Sequence, residues 1–253
     1  MVSLVYSLLA WYYHHAPLHF KQKRKSMKHL IIVPAFNEAM IIAETLKDLR
    51  SNLIKSKISA DILVVDDGSS DDTGSIATKF ADFLLTHARN CGLGASLATG
   101  IEFAKRGNYD ACVTFDSDGQ HDASDIGKTI IKLNEGYDVV IGSRFIGTHT
   151  GMPYVRRIVL FFGNFITFLF FGVWTSDSQS GFRGLSRKAI QNIKIKSNRM
   201  EVSSEFFGEI HRLSLKMCEI PIHIRYTEYS LGKGQKNTAS MGVLIKLLYK
   251  VFG

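Results

Sequence analysis

The sequence predicts an α/β fold, with a mostly parallel central sheet and helices on both faces. Three observations lead there. Short apolar runs, Leu30 to Val33 and Ile62 to Val65, are each followed by a polar loop and then a helical stretch. Repeated strand–helix units imply parallel strands, because each strand must cross over to join the next. Acidic residues also gather directly after apolar runs, at Asp66, Asp67, Asp116 and Asp118, where open sheets of this kind bind ligands. Finally, 253 residues, 45% of them apolar, can fill a full hydrophobic core, and four prolines with 21% charged residues argue against disorder.

The formal charge of +8 favours anionic partners. No helix-turn-helix pattern, aromatic ribonucleoprotein motif or zinc spacing supports a nucleic-acid partner. Cys91, Cys112 and Cys218 show no metal-ligand spacing, and their odd number argues against a disulfide scaffold. A reducing, cytosolic setting is therefore expected, with Cys112 a plain core residue.

In chain order, residues 1–28 form an extension, an apolar and aromatic run followed by the basic KQKRKSMK. The apolar part is too short to span a bilayer. It reads either as a membrane-surface helix or as an appendage to a fold that starts near His29. The first strand ends at Pro34. Ile41, Ile42, Leu46, Leu49 and Leu53 then mark a helix, with Glu38 near its start. After the second strand, Ser70 or Asp71 is expected to cap a helix running towards Lys79. Phe83 to Leu85 makes a short third strand. The segment from Arg89 to Ala95 opens a helix through Ala104, its glycines permitting close backbone approach to an anion. The full Gly-x-Gly-x-x-Gly fingerprint and the phosphate loop ending Gly-Lys-Ser/Thr are both absent.

ACVTFDSDGQHD, residues 111–122, is a strand that runs straight into Asp116, Ser117, Asp118, Gly119 and Gln120. Short oxygen ligands of that kind suit Mg²⁺ or Mn²⁺ rather than zinc. Ile126 to Leu133 reads as helical, and YDVVIGSRF as a strand ending at Ser143, Arg144 and Phe145. An arginine there can grip phosphate bidentately, or form an ordinary salt bridge. From Asp138 to Asp177 no acid intervenes. Arg156 and Arg157 introduce a nearly continuous apolar run, Ile158 to Trp174. Residues 155–175 are read as a membrane-associating helix, or a hairpin broken near Gly163, against the alternative of a core helix. Asp177, Ser180 and Arg183 then fall in a glycine-flanked loop before a helix. MEVSSEFFGEIHRLSLKM is helical, CEIPIHIRYTEY is a strand, and SLGKGQKN is a basic loop. Residues 238–253 form an amphipathic tail.

The set VPAFNE, VVDDGSSDDT, NCGLGAS, DSDGQH, VVIGSRF, RR, SGFR and KGQK, in that order, resembles a family 2 glycosyltransferase of the GT-A fold. The nearest likeness is to the polyprenyl-phosphate branch, which includes dolichol-phosphate mannose synthases. The resemblance covers about Leu30 to Asn237, and residues 29–237 are taken as one catalytic domain with membrane-interface helices. It implies that Pro34, Phe36 and Glu38 hold base and ribose, with Asp66 and Asp67 aiding base recognition and Gly94 lying in the donor loop. It implies a metal, Mg²⁺ or Mn²⁺, on Asp116, Asp118 and Gln120. Arg144, one of Arg156 or Arg157, and Lys233 or Lys236 are the cations matched to donor or acceptor phosphates, with Arg183 of SGFR a further catalytic candidate. The usual Asp-Ala-Asp-Leu-Gln-His motif has Ser117 and Gly119 here, which leaves the ligands intact. The usual Arg-x-x-Gly-x-Ser-Lys loop is not reproduced in YTEYSLGKGQK.

The resemblance further implies inverting transfer of a sugar from a UDP- or GDP-sugar to a polyprenyl (undecaprenyl or dolichyl) phosphate. The setting would be the cytoplasmic face of an anionic membrane, with a membrane-protein partner or a homo-oligomer left open. An acceptor phosphate is already an anion and needs little proton abstraction. Two rivals stand beside this. One is a transferase acting on a sugar hydroxyl of a lipid-linked or surface glycan, with Asp177 as base. The other is a noncatalytic nucleotide-sugar binding module.

Overall fold

The computed structural model describes residues 27–152 and 154–226. Residues 1–26 of the extension, the tail 238–253, Lys233 and Lys236 lie outside these described residues.

Among the described residues, seven strands form one sheet in the order β3-β2-β1-β4-β6-β5-β7. They are β1 (His29–Ala35), β2 (Ala60–Asp66), β3 (Phe83–Thr86), β4 (Ala111–Thr114), β5 (Val139–Thr150), β6 (Arg183–Ser186) and β7 (Met217–Arg225). The helices are α1 (Ile42–Lys55), α2 (Thr73–Ala77), α3 (Leu93–Arg106), α4 (Asp125–Asn134), α5 (Tyr154–Phe171), α6 (Arg187–Asn192) and α7 (Val202–Arg212). β1 to β4 pair in parallel. β6 lies antiparallel to both β4 and β5, and β7 runs parallel to β5. The expected mostly parallel sheet with flanking helices is therefore present.

Alternation along β1 explains the layering. Ile31 and Val33 enter one core cluster with Leu46 and Leu49 of α1 and Ile126 and Ile130 of α4. Leu30 and Ile32 enter the other, with Ile101 of α3 and Phe206, Phe207 and Ile210 of α7. A strand buried on both faces needs a continuous apolar run, and HLIIV supplies one. Pairing of Ala35 with Asp66, and of Asp66 with Thr86, brings the carboxyl ends of these strands to one rim.

The structure departs from the sequence reading in four places. Arg183–Ser186 is a strand rather than loop, since pairing on both sides supplies the hydrogen bonds that RGLS does not advertise by pattern. β5 does not end at Phe145 but runs to Thr150, with a register irregularity between Ser143 and Thr148 that lets pairing with β7 resume. α5 is one helix, unbroken at Gly163. Neither Ser70 nor Asp71 holds the N-cap position of α2, which is Asp72 without a side-chain cap: the Ser70 amide binds Asn37 Oδ1 at 2.8 Å, and Asp71 Oδ1 accepts the Thr73 amide at 3.0 Å. Cys112 is fully buried, and desolvation raises its thiol pKa, as a core cysteine requires.

Candidate functional site

The first two rim loops are stitched together. Asn37 takes a left-handed conformation (φ 54°), which places its amide 2.9 Å from Ser69 Oγ and its side-chain oxygen against Ser70. The Glu38 amide donates to Thr73 Oγ1 at 2.7 Å. Asp66 serves this frame: its Oδ1 accepts from the Ser69 amide and hydroxyl, so it is turned under the loop. Asp67 faces the other way. Its Oδ1 accepts the Cys91 amide at 2.9 Å and its Oδ2 the Gly92 amide at 2.7 Å. Two amides of the glycine loop, expected to await a ligand anion, are thus held by a carboxylate of the protein. Gly94 also has a packing role, because a Cβ there would collide with the backbone of Ser197 and Asn198.

The loop after β4 carries the second set. His121 Nε2 lies 3.1 Å from Asp116 Oδ2, and the imidazole sits among the rings of Phe115 and Phe182. Gly181 presses its backbone against the Asp116 carboxylate, and a Cβ there would overlap it. Burial works to raise the Asp116 carboxyl, but the hydrogen bond and charge of His121, with Arg144 and Arg183, hold it below its ordinary value. Asp118 goes the other way. Burial, then the neighbouring Asp116 charge, push it up to about 6. Gln120 donates to both Asp118 oxygens, from its amide at 3.0 Å and its side chain at 2.6 Å.

Three arginines approach this loop. Arg144 is buried, with Nε 2.6 Å from Asp177 Oδ2 and one terminal nitrogen 2.8 Å from the Tyr226 hydroxyl. Burial would lower its pKa, but the Asp177 and Tyr226 contacts outweigh that and raise it. Asp177 is fully buried and also accepts the Arg144 amide at 3.1 Å. Its Oδ2 therefore orients an arginine, and the side chain is closed off from solvent. Arg156 stands over the Tyr226 ring at 5.1 Å. Arg157, one helical step on, turns outward to a groove with Phe145, Tyr154 and Phe161. Arg183 is buried beneath the acidic loop and stacks on Phe206 at 4.6 Å. Burial lowers its pKa to about 10, and among the described residues one terminal nitrogen has no hydrogen-bond partner.

Two cavities meet at the acidic loop. One, of about 310 Å³, is lined by Pro34, Phe36, Glu38, Asp67, Asp116 and Asp118 among others. The other, of about 240 Å³, is lined by Gln120, His121, Arg144, Arg156 and Arg183, and again by Asp116 and Asp118. Among the described residues, Asp116 and Asp118 are its only carboxylates. Of the residues picked from sequence, Asp66, Gly94, Arg157 and Asp177 line neither cavity. His121 was quoted only as part of a motif, and its contact with Asp116 needed the fold. Asp67, His87 and Cys91 also converge, with ligand atoms all within 4.8 Å of one another. No spacing in the sequence signalled that group.

The family model described as "Glycosyl transferase family 2" matches residues 30–194. The uncharacterized protein MJ1222 of Methanocaldococcus jannaschii is 43% identical over 88% of this chain and 92% of its own length. A UDP-N-acetylglucosamine–dolichyl-phosphate N-acetylglucosaminyltransferase of Methanococcus voltae is 30% identical, over 88% of this chain and 96% of its own. The fold is shared with glucosyl-3-phosphoglycerate synthase of Mycobacterium tuberculosis, solved with Mn²⁺, UDP and glucosyl-3-phosphoglycerate. That match has a TM-score of 0.65 at 18% identity, over 88% of this chain and 79% of that one.

Proposed function

The chain belongs to glycosyl transferase family 2, and from that premise we propose that it transfers a sugar, with inversion, from a nucleoside diphosphate sugar to a polyprenyl phosphate at a membrane surface. One observation carries the choice of acceptor. Among the described residues, the second cavity offers Arg144, Arg156 and Arg183 but no carboxylate besides Asp116 and Asp118. A sugar hydroxyl arriving there would need a base to take its proton. A phosphate arrives ionised and needs cations instead. Asp177, the expected base for a hydroxyl acceptor, is engaged with Arg144. The name of the Methanococcus voltae relative, a dolichyl-phosphate transferase, supports the same reading.

In this reading the first cavity holds the donor, with Phe36 and Asp67 at the base end and Asp116 and Asp118 at the diphosphate end. The donor set Asp116, Asp118 and Gln120 is all oxygen and fits a hard divalent ion. Two carboxylates, one raised to about 6 partly by the other's charge, form a pair that a cation would relieve. Bound there, Mg²⁺ or Mn²⁺ supplies positive charge against the leaving diphosphate. His121 and Gly181 fix where Asp116 points, and Asp177 fixes Arg144 so that its fork enters the second cavity already aimed. Arg144 and Arg156 hold the acceptor phosphate against the repulsion of the donor's own phosphates.

The membrane half of the proposal rests on α5. Its inward stripe is Leu160, Asn164 and Thr167, two of them polar. Its outward face shows Phe161, Phe162, Phe165, Phe168 and Leu169, followed by Trp174. Each such side chain left in water forgoes roughly 1.5–3 kcal/mol of burial, so a lipid surface is its natural covering. No described helix is long and apolar enough to cross a membrane. Arg157, beside this face, is placed to meet lipid phosphates.

The deciding experiment is a mass-spectrometric assay offering UDP- and GDP-sugars with short-chain polyprenyl phosphate, alongside glycan acceptors. A metal-dependent polyprenyl-phosphate sugar is expected. Transfer to glycan hydroxyls alone would overturn the acceptor assignment, and donor binding with no turnover on any acceptor would favour a binding module.

A further inference from the structure

The Asp67, His87 and Cys91 group lies beside the donor cavity but uses different chemistry from the acidic loop. Asp67 follows β2, His87 follows β3, and Cys91 precedes α3. A carboxylate oxygen, a ring nitrogen and a thiol come within 4.8 Å of one another, with Asp67 buried and the other two half-buried. His87 Nδ1 is 2.7 Å from Asp67 Oδ1, while its Nε2 is 2.9 Å from Thr99 Oγ1. That second contact fixes the ring with Nδ1 towards the group, as partners of metal-binding histidines do. Thiolate and imidazole select zinc-class ions, whereas Mg²⁺ and Mn²⁺ prefer oxygen. Three protein ligands also leave a tetrahedral ion one open position.

We propose that Asp67, His87 and Cys91 form a second metal site, for a zinc-class transition ion, whose occupancy weakens donor binding. An ion there competes for Asp67 Oδ1, the oxygen that holds the Cys91 amide. Binding also releases to solvent the Cys91 thiol proton and the proton shared between His87 Nδ1 and Asp67 Oδ1. The glycine loop then loses one of its two anchors on Asp67, and Asp67 and Gly92 both line the donor cavity. The inhibitory half of this rests on the donor assignment above, whereas the binding half does not.

The test uses the full chain and Co²⁺ as a coloured stand-in for zinc. Wild type is expected to show a thiolate-to-cobalt charge-transfer band, bleached by equimolar Zn²⁺ and untouched by excess Mg²⁺. Cys91→Ser, which keeps its backbone amide on Asp67, loses the band. Thr99→Val keeps the band with an affinity lowered about tenfold or more. Calorimetry with UDP- and GDP-sugars in saturating Mg²⁺ then reads the consequence. Zn²⁺ weakens donor binding about tenfold or more in wild type and not in Cys91→Ser. A band that survives in Cys91→Ser overturns the site. Equal weakening of donor binding by Zn²⁺ in both proteins overturns the regulatory half, placing the ion at the acidic loop. If no donor binds either protein, the function above fails while the cobalt result still decides the site.

Discussion

At the scale of single residues, Asp118 gives the sharpest consequence. Its carboxyl titrates near 6 in the folded chain, against 3.8 for an ordinary aspartate. Between those values the folded chain keeps a proton that the unfolded chain has released. The contribution of Asp118 to the stability of the metal-free protein therefore falls as pH rises through that window. Metal needs the carboxylate, so Mn²⁺ affinity is expected to drop about tenfold for each pH unit below 6. Titrations by calorimetry from pH 5 to pH 7.5 check the slope, and Asp118→Asn should remove it along with about 100-fold or more of the activity. Asp177 behaves differently because its role is to pair with Arg144. Asp177→Ala strands a buried guanidinium and should cost about 3–5 kcal/mol, read by denaturant unfolding. Asp177→Asn should lower turnover without deleting a limb of the pH–rate profile, as loss of a general base would.

At the scale of elements, α5 is inverted relative to an ordinary surface helix, with Asn164 and Thr167 inward and Phe161, Phe162, Phe165 and Phe168 outward. Asn164 Oδ1 accepts from the Ser178 amide and hydroxyl, both at 2.8 Å, which ties the helix to the loop that carries Asp177 and Gln179. The outward face can thus change without disturbing the frame. Phe161→Ser combined with Phe165→Ser should abolish sedimentation with anionic vesicles while leaving unfolding free energy within about 0.5 kcal/mol per site. Asn164→Leu should do the reverse, keeping vesicle binding and destabilising the fold by about 1–3 kcal/mol through unpaired groups on the Ser178 loop. β6 shows the limits of pattern reading. RGLS has a single large apolar side chain, Leu185, and becomes a strand only because β4 and β5 both offer it partners.

For the whole molecule, the antiparallel β6 separates β4 from β5, so the acidic loop and the arginine-bearing strand flank it. The two cavities share a wall at Asp116 and Asp118, with the arginines lining only the second. Donor and acceptor affinities should therefore be separable. Arg156→Ala is expected to raise the acceptor KM about tenfold or more with donor KM nearly unchanged, measured in the mass-spectrometric transfer assay. Phe36→Ala should do the opposite. Equal effects on both substrates from either change would mean that the cavities do not divide the work in this way.

Sequence alone determined the layering and the acidic rim. Two-face burial demands the apolar runs at β1 and β2, and the aspartates after β2 and β4 stand at positions dictated by strand ends. The family motifs named the same loops. It did not determine which of two adjacent arginines faces the site, that Asp66 supports a loop while Asp67 faces a cavity, or that Asp177 is locked to Arg144. Nor did it bring His87 and Cys91 to Asp67. Those are contacts between groups far apart in the chain, and a linear pattern records what a residue prefers, whereas its partner is chosen only when the sheet closes and the side chains compete for the same space.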